Sequence, residues 1–197
     1  MYLLTENIKN EIEINKSRFI CYLGIAKSQE EAKEFIQSIK KKHYDASHNC
    51  SAYILGETGE FGGSSDDGEP GNTAGVPMLE VLRKNHVTNI VAVVTRYYGG
   101  IKLGAGGLIR AYSRSVGDTL KVSNLIILQK YNLLSIKISY SYFDEIHTIL
   151  KNYELTNSKF DIDVSFEVLI EENKVSEIIT TLSNITNGRI FIKNMSK

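Results

Sequence analysis

The chain has 197 residues, 42% of them hydrophobic and 23% charged, with 23 Lys and Arg balancing 23 Asp and Glu. This is an ordinary globular composition, long enough for one large domain or two small ones, each with a real core. Zero net charge argues against a protein coated in nucleic acid over its whole surface. The apolar runs, such as Ile90–Val94 and Leu125–Leu128, are far too short to span a bilayer.

Met1 opens a mixed segment of acids and lysines, which predicts no leader of the charged-then-apolar kind. Ile12–Gly24 predicts strand, turn and strand. Ser28 then opens a helix, with Glu31 completing a capping box. Ala32, Phe35, Ile36 and Ile39 form its apolar stripe, and Lys40–Lys42 read as a solvated C-terminal end. Cys50–Leu55 predicts a short strand and Gly56–Gly75 a long glycine-rich loop. Thr73 is the expected cap of a helix over about Ala74–Lys84, whose first turn tolerates Pro77. Ile90–Thr95 is a continuous β-branched run, as in a buried central strand. Leu108, Ala111, Tyr112, Ser115, Thr119 and Leu120 then lay a helix against a sheet.

The composition changes near Lys130, which predicts two domains, 1–130 and 131–197. The second reads as strand (Leu133–Tyr140), helix (Tyr142–Tyr153), strand (Leu155–Phe160), strand (Ile162–Ile170), helix (Glu171–Asn184) and strand (Arg189–Lys193). That βαββαβ order is ferredoxin-like, and no catalytic constellation is visible in it.

Most of the chemistry is concentrated earlier. Twelve of the 15 glycines and both prolines lie between Gly56 and Gly107. Six acids and no base fall between Gly56 and Glu80, whereas six bases and no acid fall between Val81 and Gly117. The two stretches either neutralise each other across a cleft or form an acidic rim beside a basic groove.

Within the basic stretch, Gly99, Gly100, Gly104, Gly106 and Gly107 lie among Arg96, Lys102, Arg110 and Arg114 and lead into a helix N-terminus. Free amides and the helix dipole favour anions there, which points to phosphate or another polyanion. No standard nucleotide loop matches. Gly99 and Gly104 have the Walker spacing, but Ala105 and Gly106 follow where Lys and Ser/Thr are needed, and Ile109 replaces the third glycine of the dinucleotide fingerprint. A purely structural role, as a tight strand-to-helix turn, therefore stays open. Tyr97 and Tyr98 point to opposite faces at a strand end, so one packs and the other is available to stack on a base.

Asp66, Asp67 and Glu69 put three carboxylates in four residues. They suit a hard cation, a turn or a partner contact, or Asp66 or Asp67 forms an ion pair with Arg96 or Arg110. The bidentate glutamate of an EF-hand is missing, because position twelve of such a loop is Pro77. His48 is the candidate site histidine, able to reach the acidic loop, although a hydrogen-bonded structural role is its plainer reading. Cys21 and Cys50 show no metal spacing or disulfide framework and read as core residues of a cytoplasmic protein.

Lys16-Ser17-Arg18-Phe19-Ile20, Asp45-Ala46-Ser47-His48-Asn49-Cys50, Ser65–Pro70 with Thr73-Ala74-Gly75, and above all Val94–Tyr112 together resemble the IMPACT/YigZ family of cytoplasmic proteins. The resemblance implies an α+β fold. The N-terminal domain should have the ribosomal-protein domain 2-like fold, of left-handed βαβ type. The C-terminal domain should be a ferredoxin-like βαββαβ domain similar to the last domain of elongation factor G. It also implies a link to translation, since eukaryotic members regulate it by binding the activator of the amino-acid-starvation kinase. The same fold hosts small-molecule kinases, so fold alone decides nothing about catalysis. Two positions depart from the family pattern: Asn49 stands where many relatives have a second histidine, and Asn72 where they usually have glycine.

Two functions therefore stand at this point. The first is a non-enzymatic, translation-linked module without cofactor or membrane association. It would bind RNA or a ribosome-associated protein through Arg96, Tyr97, Tyr98, Lys102, Arg110, Arg114 and the glycines between them. The second is a metal-dependent enzyme acting on a phosphorylated or peptidic small molecule through Asp66, Asp67, Glu69 and His48. The sequence does not set the oligomeric state.

Overall fold

The computed structural model describes residues 1–195, and the chain divides into two compact units, Met1–Leu128 and Gln129–Lys197. The first unit contains β1 (Tyr2–Leu4), β2 (Ile8–Ile14), β3 (Ser17–Ile25), α1 (Gln29–Lys42), β4 (His48–Leu55) and β5 (Phe61–Ser65). It continues with α2 (Gly75–Lys84), β6 (Ile90–Tyr97), α3 (Gly104–Lys121) and β7 (Leu125–Ile127). Five strands form one antiparallel sheet in the order β2-β3-β6-β4-β5, and β1 pairs with β7 separately. The crossover β3–α1–β4 thus places β6 between the two strands it joins.

The central strand β6 separates the two faces by alternation. Ile90, Ala92 and Val94 point into a core with Met78 and Leu82 of α2 and Leu108, Tyr112 and Val116 of α3. Val91 and Val93 point the other way, toward Ala32 and Ile39 of α1. Strands buried on both faces lose the polar alternation of a half-exposed sheet, which is why Ile90–Val94 reads as a continuous apolar run.

Several expectations need correction. The stretch Gly56–Gly75 is not all loop, because Phe61–Ser65 pairs with β4 as an edge strand. Phe-Gly-Gly-Ser-Ser has little strand propensity, and cross-strand pairing overrides it. Thr73 does not cap α2; its hydroxyl donates to the Pro70 carbonyl at 2.6 Å. The α2 amides are satisfied by Asp66 instead, as described below. Ser28 does cap α1, accepting from the Glu31 amide at 3.2 Å, while the Glu31 carboxylate accepts from the Lys27 amide at 2.8 Å. Lys40 is not merely solvated: it pairs with Asp67 at 2.5 Å.

The second unit contains β8 (Tyr131–Ile138), α4 (Phe143–Ile149), β9 (Leu155–Phe160), β10 (Val164–Glu171), α5 (Val175–Ile185) and β11 (Phe191–Asn194). Its antiparallel sheet has the order β11-β8-β10-β9, the ferredoxin-like arrangement. Leu134, Ile136, Val164, Phe166 and Val168 meet Ile146 of α4 and Leu182 of α5 in its core. The chain is therefore α+β throughout, with a βαβ-rich first unit and a ferredoxin-like second. Among the described residues no helix is long and apolar enough to cross a membrane.

Candidate functional site

Arg96 lies near the end of β6 on the α2/α3 side of the sheet, directly opposite His48 of β4. It is only 5% exposed. Its Nη1 donates to Glu69 Oε1 at 2.7 Å, and the Tyr112 hydroxyl of α3 donates to the same oxygen at 2.7 Å. Glu69 is itself buried. A buried carboxylate needs such partners, and here a strand and a helix supply them to a loop residue. The guanidinium lies 5.5 Å from the ring centroids of both Phe19 and Tyr98, so two aromatic rings hold it. Burial pushes the Tyr112 hydroxyl far above its ordinary pKa, and the neighbouring Cys50 and Glu69 add to the shift. Tyr112 therefore keeps its proton and donates it to Glu69.

The acidic loop does not act as a unit. Asp66 turns to α2, where its carboxylate accepts from the amides of Asn72 at 2.8 Å, Ala74 at 2.9 Å and Gly75 at 2.8 Å. Burial opposes its ionisation, but the three amides outweigh burial and hold its carboxyl below the usual range. Asp67 turns to α1 and β4, accepting from Lys40 at 2.5 Å and from the Asn49 amide at 2.6 Å. Burial opposes its ionisation as well, and these donors still lower its pKa. Only Glu69 borders the cavity beside α3; Asp66 and Asp67 are not among its lining residues. Among the described residues no group of three or more His, Cys, Asp or Glu is arranged to hold a metal ion. The carboxylates that a metal-dependent reaction would share thus diverge, each committed to a different element.

Asp66→Ala is expected to lower stability by about 1–2 kcal/mol, as loss of a helix N-cap does. Because the folded pKa of Asp66 is depressed, its contribution is present above the ordinary carboxylate pKa and is lost as pH falls through the lowered value. Urea midpoints of wild type and variant, measured from pH 7 to pH 3, should differ at neutral pH and converge in acid.

His48 is fixed by its Nδ1–H, which donates to the Asp67 carbonyl at 2.9 Å, and its Nε2 lies 3.8 Å from Glu69 Oε2. Cys50 is buried, and its thiol contacts the Asp66 carbonyl at 2.9 Å. Burial pushes the Cys50 thiol up to about 12, far from the range of a nucleophile at neutral pH. Asn49 is a fully used linker: its carbonyl oxygen accepts from Thr95 at 2.7 Å and its NH2 donates to the His43 carbonyl at 3.1 Å.

The two tyrosines do separate. Tyr97 lies on the α1 side, donating to Asp45 at 3.0 Å and bonding His43 Nδ1 at 3.0 Å, while His43 Nε2 bonds Tyr22 at 2.7 Å. Tyr98 is 48% exposed beside Arg96. The following loop is anchored at the starts of β3 and β4: the Gly99 amide donates to Ser17 Oγ at 3.1 Å, and the Tyr98 amide donates to Ser47 Oγ at 3.2 Å. Gly100 at φ +85° and Gly104 at φ +68° then adopt the left-handed conformation that carries the chain into α3.

Helix α3 begins without a side-chain cap and without an acid in its first turn. Beside it opens a cavity of about 350 Å³. Pro70, Leu103 and Leu108 form its apolar walls, Tyr98 and Arg96 one side, and Lys102, Gly104 and Ala105 its mouth. Lys102, Arg110 and Arg114 are exposed, Arg114 beside Asp118 at 3.1 Å. Sequence reasoning placed Tyr112 and Leu108 only in a packing stripe, and it missed Pro70, Leu103 and Ala105. The i, i+4 spacing of Leu108 and Tyr112 was the available signal.

The Impact N-terminal domain matches residues 15–120, and a domain of unknown function, DUF1949, matches residues 136–189. The IMPACT family member YvyE of Bacillus subtilis (strain 168) is 43% identical over 98% of this chain and 89% of its own length. The IMPACT family member YigZ of Escherichia coli (strain K12) is 36% identical over 90% of this chain and 89% of its own. A crystal structure of a hypothetical protein, 33% identical, superposes with a TM-score of 0.63 over 100% of this chain and 97% of that one. The Impact N-terminal domain thus covers the strand, the glycine loop and the helix that build the site, and the chain belongs to the IMPACT family.

Proposed function

We propose that this chain is a non-enzymatic, translation-linked regulatory module of the cytoplasm that binds single-stranded RNA on the face formed by the glycine loop and α3. The observation that carries the reading is the uncapped, acid-free start of α3, flanked by exposed Lys102 and Arg110. Arg110 and Arg114 are one turn apart and share a helix face, so with Lys102 they present a short cationic track. Tyr98, held by Arg96, offers a ring for stacking. Arg96 itself is not a phosphate contact in this reading, because Glu69 already takes its charge. Family membership supports the translational link, since the eukaryotic members that the chain resembles regulate translation.

Salt dependence tests the proposal. Three phosphate contacts to a single strand predict a slope of about −2 in log K against log salt, or roughly a twenty-fold loss from 50 to 200 mM. Lys102→Ala/Arg110→Ala should weaken binding and reduce the slope to about −0.7. Equal binding and equal slope in wild type and variant would contradict the assignment.

A further inference from the structure

The geometry points to one unstacked nucleotide as the occupant of the cavity beside α3, with its base inside the apolar chamber and its phosphate at the helix N-terminus. We infer this for a free mononucleotide and for a nucleotide within a strand alike; the second form rests on the RNA reading above.

Four independent features of the chamber agree. Its volume, about 350 Å³, is that of a small-molecule site, and its walls are apolar with few polar groups. Pro70, Leu103 and Leu108 give a planar base contacts without a sequence-reading pattern, and Tyr98 gives it a stacking surface. The Tyr98 ring does not have to be ordered on binding, because the Arg96 guanidinium already lies 5.5 Å from its centroid. Prior ordering of that ring removes part of the entropy cost of stacking.

The second feature is an unmet donor. Arg96 borders the chamber at 5% exposure, and its Nε is a buried nitrogen with no hydrogen-bond partner. Buried donors are nearly always satisfied, so an orphan in a fixed guanidinium beside a cavity calls for an acceptor from outside. A carbonyl oxygen or an unprotonated ring nitrogen of a base is such an acceptor. Its neighbour Glu69 supplies the compensating charge, so the chamber itself does not demand a second anion.

The third feature is the place for one phosphate. The first amides of an 18-residue helix have no side-chain cap, Gly104 and Ala105 line the mouth, and Lys102 stands beside them. The fourth is Gly106, on the exposed side of the first turn. A Cβ there would meet only Arg110 Nη1, at an ordinary 3.5 Å, and the backbone is not left-handed. The fold does not need that glycine, and a glycine weakens a helix interior. Close approach of a phosphate to the backbone does use it.

The test follows amide and tyrosine signals of the full chain by NMR during titration with uridine 5′-monophosphate, adenosine 5′-monophosphate and a single-stranded RNA octamer. Ala105→Leu fills the mouth of the chamber without removing a charge, on an exposed helical position that tolerates leucine. In the wild type the mononucleotides should shift Tyr98, Leu103 and Leu108. In Ala105→Leu those shifts should vanish and RNA should bind at least about fivefold more weakly, the low end of the loss of one stacked base, while the salt slope is kept. RNA binding equal to wild type in Ala105→Leu would overturn the chamber and leave the cationic track standing. Mononucleotide binding at the chamber with no RNA binding by wild type would support the chamber and overturn the RNA reading. No shifts from either ligand would overturn both.

Discussion

Gly99→Ala is expected to destabilise the first unit by about 3 kcal/mol or more, at the severe end of overpacking. A Cβ on Gly99 would lie 2.0 Å from the carbonyl carbon and oxygen of Lys16 and 2.5 Å from the Ser17 amide nitrogen. Those atoms are backbone in the turn between β2 and β3, where Asn15 and Lys16 already adopt positive φ, so they have little freedom to retreat. The change would also break the bond from the Gly99 amide to Ser17. Thermal unfolding should show a midpoint about 10 °C lower. Gly106→Ala serves as the control, because nothing crowds that position, and its midpoint should equal or exceed that of the wild type. A Gly99→Ala protein as stable as wild type would contradict the close approach. The glycine segment therefore has two kinds of glycine: Gly99 is required by the fold, while Gly106 is free of it and answers to binding.

The second large effect is Glu69→Ala, expected to cost about 3–5 kcal/mol, because it leaves the buried Arg96 guanidinium uncompensated. The cost also includes the hydrogen bond from the Tyr112 hydroxyl to Glu69. Replacing both charges, in Glu69→Leu/Arg96→Met, should recover most of the loss, since paired apolar substitution often matches or exceeds a buried ion pair. Urea unfolding of Glu69→Ala, Arg96→Met and the double variant separates these terms. A double variant no more stable than Glu69→Ala would contradict the account. The same experiment bears on function, because Arg96 holds Tyr98 in place and the double variant should lose RNA affinity even where stability returns.

Local chemistry explains what the sequence made legible. Ser28 and Glu31 identify the start of α1, since both partners of that cap lie within four residues. The β-branched run of β6 and the strand–helix alternation after Tyr131 are likewise local patterns, and the ferredoxin-like order follows from them. What stayed hidden depends on distance. Asp66 caps α2 from nine residues before Gly75, through a loop whose path no propensity reveals. Phe61–Ser65 becomes a strand only because β4 offers an edge. The sequence offers Asp66 or Asp67 as the acid for Arg96, whereas Glu69, 27 residues before it, is the one that closes on it. The Tyr22–His43–Tyr97 chain is similar, joining residues 21 and 54 positions apart on the α1 side. Lys102, Arg110 and Arg114 are exposed, on the loop and on the outward face of α3.

The central claim is that single-stranded RNA meets this chain along the glycine loop and the first turns of α3. Amide chemical-shift mapping during titration with a short single-stranded RNA tests it most directly, because every backbone N–H reports separately. The account predicts the largest shifts at Tyr98–Arg110, with small ones around Asp66 and Asp67, all weakening as salt rises. Shifts confined to the ferredoxin-like unit, or none at all at low salt, would contradict it.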